Sequence, residues 1–275
     1  MIKINDLSFY YRKGTPIFNN VSFRMKDGIY GLLGENGVGK TTLLHIISGL
    51  QFPKSGSCKV LGDESYRRLP RMYSDLFFLP EEFELPTVKV KNYVRTTGQF
   101  YANFDFERFE LYINEFQVDK NQKLTEMSYG QKKKLMISFG LSTNARILLL
   151  DEPTNGLDIP SKTKFRQMIA AASVEEKCIL ISTHQVRDLE NLIDPIIILD
   201  RNQVILNNSV EEISQKLYFG ISETIPENAL YIEKTMTGFN FVAPNHIGKE
   251  STMNLEFLFN AAIHNKAIFR QLFNL

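Results

Sequence analysis

The chain has 275 residues, 43% of them hydrophobic and 23% charged, and its 32 basic residues against 31 acidic ones leave a net charge of +1. A chain of this size buries about 75% of its unfolded surface, so a core needs no disulfide or metal staple. The even charge balance excludes the electrostatic footprint of a nucleic-acid-binding domain, and no apolar run approaches the roughly 20 residues of a membrane helix. Cys58 and Cys178 have no metal-binding spacing and read as reduced core thiols, as a reducing cytoplasm would keep them. The amino terminus shows no signal-peptide pattern, so work at a membrane would require another chain to span it.

In chain order, alternating apolar residues from Ile2 to Met25, interrupted by Lys13-Gly14-Thr15-Pro16, predict antiparallel strands joined by a turn. Ile29 to Leu33 reads as a short buried strand. Thr41 to Leu50 carries Leu43, Leu44, Ile46 and Ile47 at helical spacing. Residues 53–75 read as turn-rich and basic, Phe77-Phe78-Leu79 as a strand, and 88–126 as an inserted, aromatic-rich helical region in which Phe100, Tyr101, Phe104, Phe106 and Phe109 look like core. From Ile147 onward, strands at Ile147–Leu150, Ile179–Ser182 and Ile196–Leu199 alternate with helices at about Ser161–Ala172 and Val186–Leu192. That pattern predicts a parallel sheet covered on both faces. One more strand, Val204–Leu206, follows. Beyond Asn208 only a terminal amphipathic helix, marked by Leu255, Phe259, Ala262 and Ile263, is legible.

Gly34-Glu35-Asn36-Gly37-Val38-Gly39-Lys40-Thr41-Thr42 fits the phosphate-binding-loop template between a strand and a helix. Its glycines let backbone amides turn toward phosphates, Lys40 can reach the β- and γ-phosphates, and the Thr41 hydroxyl can ligate Mg²⁺. Asp151 ends an apolar strand, where a lone carboxylate is costly unless it faces a cation. Beside a phosphate loop that cation is Mg²⁺. Glu152 points elsewhere and suits the orientation or deprotonation of a water attacking a γ-phosphate.

With these motifs, Met127-Ser128-Tyr129-Gly130-Gln131, Asn155-Gly156-Leu157-Asp158 and His184 after Ser182-Thr183 make the chain resemble the nucleotide-binding subunits of ATP-binding cassette (ABC) transporters over residues 1–215. They match the family's Leu-Ser-Gly-Gly-Gln signature, D-loop and switch histidine. The resemblance implies an α/β P-loop NTPase cassette with a mainly parallel core sheet, an N-terminal antiparallel β subdomain and an α-helical subdomain inserted at about 82–142. Residues 216–275 are then an extension to which the sequence assigns no role. The resemblance further implies a head-to-tail dimer with two ATP molecules, each between the P-loop of one chain and the signature turn of the other. Ser128, Gly130, Gln131 and Asp158 would thus face nucleotide held by the opposite subunit, His184 would contact the γ-phosphate, and Tyr11 would stack on adenine. A strand tyrosine facing the core is the rival reading of Tyr11.

Two departures stand out. Where the family has Gln after the strand leading into the helical subdomain, this chain has Glu81. A carboxylate there can still approach Mg²⁺, but it adds negative charge near the triphosphate and loses the amide's donor. A plain solvated acidic turn explains Glu81 equally well. Tyr129 replaces the first signature glycine, removing backbone freedom, which predicts weaker or slower dimer closure. Lys132-Lys133-Lys134 continues the signature helix and reads as a solvated face.

The expectation is an ATPase subunit, cytoplasmic and peripheral on the inner face of the membrane, that pairs with a second such subunit and drives a separate polytopic permease, without nucleic acid. The short extension resembles exporter subunits more than importers. Alternatives are a soluble ABC ATPase acting on DNA or ribosomes, and a scaffold that binds ATP without turnover. The first lacks its usual long coiled coil or second cassette, and the second sits poorly with Asp151, Glu152 and His184.

Overall fold

In a computed structural model, which describes residues 1–172, 176–236, 238–246 and 248–274, three sheets carry the chain. β1 (Ile2–Tyr10) and β2 (Pro16–Met25) pair antiparallel, with Ile2 opposite Met25 and Ile4 opposite Phe23. β3 (Gly28–Leu33) leads through the glycine loop into α1 (Lys40–Ile47). The segment read as turn-rich contains β4 (Ser55–Val60), β5 (Asp63–Glu64) and α2 (Pro70–Tyr73); β4 places Val60 opposite Ile2 and Cys58 opposite Ile4. Only Cys58 and Val60 of that strand are buried, so its sequence shows almost no apolar alternation. The first sheet runs β2-β1-β4-β5.

β6 (Leu76–Leu79) precedes the helical subdomain, formed by α3 (Val90–Gly98), α4 (Phe106–Glu115) and α5 (Tyr129–Ser142). Its core gathers Phe109 and Phe139, with Phe104 5.0 Å from the Phe139 ring. Phe100 and Phe106, read as core, are instead 73% and 50% exposed. β7 (Ile147–Asp151), α6 (Ile159–Ala172), β8 (Cys178–Thr183), β9 (Ile196–Asp200) and β10 (Gln203–Asn208) complete the main sheet. Between β8 and β9 the expected helix reduces to a 3₁₀ turn, Val186–Leu189, with Asn191 in the left-handed region shortly after.

The main sheet has the order β10-β9-β3-β8-β7-β6, parallel throughout except for β10. Successive strand residues point to opposite faces. Ile147, Leu149, Ile197 and Leu199 therefore pack with α1 and the first sheet, whereas Leu148, Leu150, Ile196 and Ile198 pack with the helices on the other side. This two-sided burial explains runs that are apolar at every position. The expected fold class is observed: a cassette with a mainly parallel core sheet, an antiparallel N-terminal sheet and an inserted helical subdomain. Cys58 and Cys178 are buried free thiols, pushed up to about 12 by burial.

The C-terminal segment forms α7 (Val210–Lys216), then β11 (Leu217–Ser222), β12 (Tyr231–Thr235) and β13 (Gly238–Pro244), ordered β11-β13-β12, and finally α8 (Leu255–His264) and α9 (Lys266–Phe273). Leu217, Val242, Leu258 and Phe269 share one core with Ile196 and Ile198 of the main sheet. Because Phe269 is fully buried in that shared core, Phe269→Ala is expected to cost about 3–5 kcal/mol of stability. Equilibrium urea unfolding measures this, and a loss below about 1 kcal/mol would mean that α9 is not part of the core.

Candidate functional site

The glycine loop is tight because its backbone adopts conformations that side chains resist. Gly37 and Gly39 have φ of 83° and 110°, and a Cβ on Gly39 would stand 2.7 Å from Ile17 Cγ2. Helix α1 starts there without a side-chain cap and without an acidic residue in its first turn. Its first amides and the positive end of its dipole therefore face outward toward an anion. Lys40 Nζ donates to the carbonyls of Gly34 (2.7 Å) and Glu35 (3.2 Å) and lies 3.9 Å from Glu152 Oε1. Burial pushes its pKa down, against the pull of Glu152, Asp151 and Glu81.

The parallel sheet brings the carboxyl ends of β7 and β8 beside this loop. Asp151, 1% exposed, accepts from Thr41 Oγ1 (2.7 Å) and from the Ser182 hydroxyl. Hydroxyl and carboxylate together form a hard-oxygen pair of the kind that holds Mg²⁺ alongside substrate phosphates. No group of three or more acidic, His or Cys side chains forms a metal cage among the described residues. Glu152 turns away through a left-handed backbone, φ 44°, a conformation that costs about 1–3 kcal/mol for a non-glycine residue. Its amide donates to the Ser182 Oγ at 3.1 Å.

The Glu152 carboxylate is 5% exposed and its Oε2 is buried without a hydrogen-bond partner among the described residues. Burial raises its pKa, while the His184 hydrogen bond and charge and the Lys40 charge pull it down. Toward an ionised Glu152, His184 Nδ1–H donates to Oε1 at 2.8 Å.

Lys40, Thr41, Glu81, Asp151, Glu152 and His184 line one cavity of about 440 Å³, and Asn36, Gly37, Gly39, Thr42 and Tyr11 border it too. Gly34 and Glu35 contribute carbonyls to Lys40, and Val38 packs over Gly34, where a Cβ would meet its Cγ2 at 2.6 Å. Tyr11 is 59% exposed, stands edge-on to Phe9 and shares a 3.2 Å hydrogen bond with Thr42 Oγ1. The core-facing alternative for this tyrosine is thereby removed. Glu81 Oε1 is occupied by Asn155 Nδ2 at 3.0 Å, so Glu81 is a hydrogen-bonded member of the cavity wall and not a plain solvated turn.

Ser128, Gly130, Gln131 and Asp158 do not line that cavity. Ser128 caps α5 in a reciprocal box: its Oγ accepts from the Gln131 amide (3.3 Å) and Gln131 Oε1 accepts from the Ser128 amide (2.9 Å). Among the described residues the Ser128 O–H donates to no acceptor, which leaves it available to an incoming one. Gly130 abuts the Gly156 carbonyl, 2.8 Å from where a Cβ would stand. Asp158 accepts from the Ser161 amide at 3.0 Å, pairs with Lys134 at 3.6 Å and is held below its usual range by those groups.

Lys133 contradicts the solvated-face reading, for it is fully buried between Lys132 and Lys134, which are half-exposed. Helical geometry sends adjacent residues about 100° apart, so a run of like charges need not share one environment. Sequence reasoning also missed Ser182, which joins Asp151 to Glu152. Its place two residues before His184 was the available signal.

The ABC transporter family model matches residues 18–155. The chain is 30% identical over 226 residues to the uncharacterised ABC transporter ATP-binding protein MJ1023 of Methanocaldococcus jannaschii, covering 79% of this chain and 81% of that protein. It is 31% identical over 212 residues to the lantibiotic transport ATP-binding protein SrtF of Streptococcus pyogenes, covering 77% and 92%. Among solved structures, the dimeric bacterial cassette MJ0796 superposes with a TM-score of 0.68 at 22% identity, covering 76% of this chain and 99% of that one. The phosphate loop, the paired carboxylates and these relatives together place the chain in the ABC transporter family, as an ATP-binding subunit with ATPase activity.

Proposed function

We propose that this subunit hydrolyses Mg²⁺–ATP at sites shared between two copies of itself and thereby drives a separate membrane-spanning permease. The observation that carries the reading is the division of the candidate groups between two surfaces. Lys40, Thr41, Asp151, Glu152 and His184 share one cavity, whereas the Ser128 hydroxyl lies outside it. A γ-phosphate bound by Lys40 and the α1 amides would reach the Ser128 O–H of a second copy and the amides that follow it. Dimeric cassettes among the structural relatives support that arrangement. Among the described residues no helix is long and apolar enough to cross a membrane; in this reading the permease is a separate chain.

In this reading Thr41 and Asp151 would hold Mg²⁺, which would supply positive charge beside the phosphates. Glu81 is the further carboxylate facing the same space. Glu152 accepts the proton of the attacking water, and the His184 hydrogen bond fixes the orientation of its carboxylate. Tyr11 offers an exposed ring to the adenine. Direction is left to the permease. The methionine import protein MetN of Campylobacter jejuni aligns over 85% of this chain and SrtF over 77%, so an extension of this length does not single out export.

Glu152→Gln is expected to lower steady-state turnover by about 10³-fold or more while preserving ATP binding and trapping a dimer. A phosphate-release assay with size-exclusion chromatography reads both, and unchanged turnover would remove Glu152 from its role. Lys40→Ala is expected to weaken triphosphate affinity by at least about ten-fold, read by titration with a fluorescent ATP analogue.

The raised pKa of Glu152 carries a stability consequence. Its folded value lies above the ordinary 4.5, so the folded state holds the proton more tightly, and stability falls as pH rises through the window from 4.5 to the folded value. Glu152→Gln should therefore raise the Tm of the nucleotide-free subunit at pH 7, and the gain should vanish below about pH 4.5. A lowered Tm at pH 7 would contradict the charge-burial account.

A further inference from the structure

Helix α5 begins with the residue that departs from the family pattern, and that residue is tied to the other departure. The Tyr129 hydroxyl donates to the Glu81 backbone carbonyl at 2.5 Å, and Lys133 Nζ, one helical turn on, donates to the same oxygen at 3.0 Å. Both lone pairs of that carbonyl are thereby used. Lys133 Nζ also lies 5.4 Å and 5.6 Å from the ring centroids of Tyr129 and Phe83. Among the described residues no carboxylate pairs with Lys133. Its ammonium is held by one carbonyl and two aromatic faces, and burial lowers its pKa to about 8. Burying a cation in this way costs stability, so the contact is not explained by packing.

The same cluster reaches the D-loop. Asn155 Nδ2 donates to Glu81 Oε1 at 3.0 Å, and the Tyr129 ring lies over Gly156, where a Cβ would meet it at 2.8 Å. Asn155 Oδ1 in turn accepts from Gln185, the neighbour of His184, at 3.4 Å. Tyr129 thus spends its hydroxyl inside its own chain instead of offering it to a second copy.

We propose that Tyr129 and Lys133 are positioning residues that clamp the Glu81 turn to the signature helix, so that the Ser128 turn and the Glu81 wall of the same chain's cavity move as one body. The proposal rests on the two-copy reading above, in which Ser128 serves the partner's nucleotide and Glu81 this chain's own. A change at one ATP is then passed to the surface that closes on the other, through contacts that have named donors and one shared acceptor. A signature turn fixed in this way is pre-organised for docking, and releasing it adds an ordering cost to dimerisation.

The test uses the full chain carrying Glu152→Gln as parent, with Tyr129→Phe, Lys133→Met and Lys133→Arg added singly. Three readouts are compared: affinity of dilute monomer for a fluorescent ATP analogue, ATP concentration at half-maximal dimerisation by sedimentation, and amide exchange of residues 80–84 without nucleotide. Tyr129→Phe and Lys133→Met should leave monomer affinity within about two-fold, raise the ATP needed for dimerisation by about five-fold, and speed exchange at 80–84. Lys133→Met should keep or raise the Tm while doing so, a split that a merely structural lysine would not produce. Lys133→Arg, which keeps a charged donor and a cation over the rings, should fall closer to the parent than Lys133→Met in both the ATP needed for dimerisation and exchange at 80–84. Parental exchange at 80–84 and parental dimerisation in Tyr129→Phe would overturn the clamp. A parent that binds ATP without dimerising would instead count against the two-copy reading, and the exchange measurement, which needs no dimer, would still decide the clamp.

Discussion

The end of β7 governs the candidate site. Two consecutive carboxylates leave a buried strand, and the backbone reversal at Glu152 sends them in different directions. Asp151 is then satisfied by the hydroxyls of Thr41 and Ser182, while Glu152 keeps one oxygen for His184 and leaves the other without a partner among the described residues. Only a parallel sheet can supply this arrangement, since β3, β7 and β8 must all finish on one side for the glycine loop, the carboxylate pair and the histidine to meet. The apolar residues on both faces of those strands serve that alignment as much as they serve stability.

The C-terminal residues bear on the site from the opposite face of the fold. Arg187, in the turn that follows His184, pairs with Glu256 of α8 at 2.7 Å, and Leu189 shares a core with Leu255 and Leu258. The segment that follows His184 is therefore seated on α8. An exposed pair of this kind contributes little energy. The buried leucines carry most of the attachment.

The site was more legible in the sequence than the fold around it. Gly34 to Thr42, Asp151, Glu152 and His184 are fixed in type by chemistry that few other residues perform, so their spacing along the chain was informative without any knowledge of packing. The strands of the main sheet were visible because they are buried on both faces. β4 was hidden because two apolar residues in six make no pattern. The sheet β11-β13-β12 was hidden because its outward face carries Tyr218, Phe239 and Phe241, which erases the polar alternation that marks a half-buried strand. Lys133 was misjudged for a different reason. Its burial depends on a carbonyl at Glu81 and a ring at Phe83, fifty residues away in the chain, which no local pattern reports.

Subunit mixing tests the divided site most directly. A chain with Lys40→Ala has an intact signature turn, and a chain with Ser128→Arg has an intact phosphate loop; each alone should be inactive. If each nucleotide is shared between two chains, mixing them creates heterodimers with one complete site, and ATP turnover should reappear in proportion to the heterodimer formed. Two inactive preparations that remain inactive after mixing, although heterodimers are present, would contradict a site divided between copies.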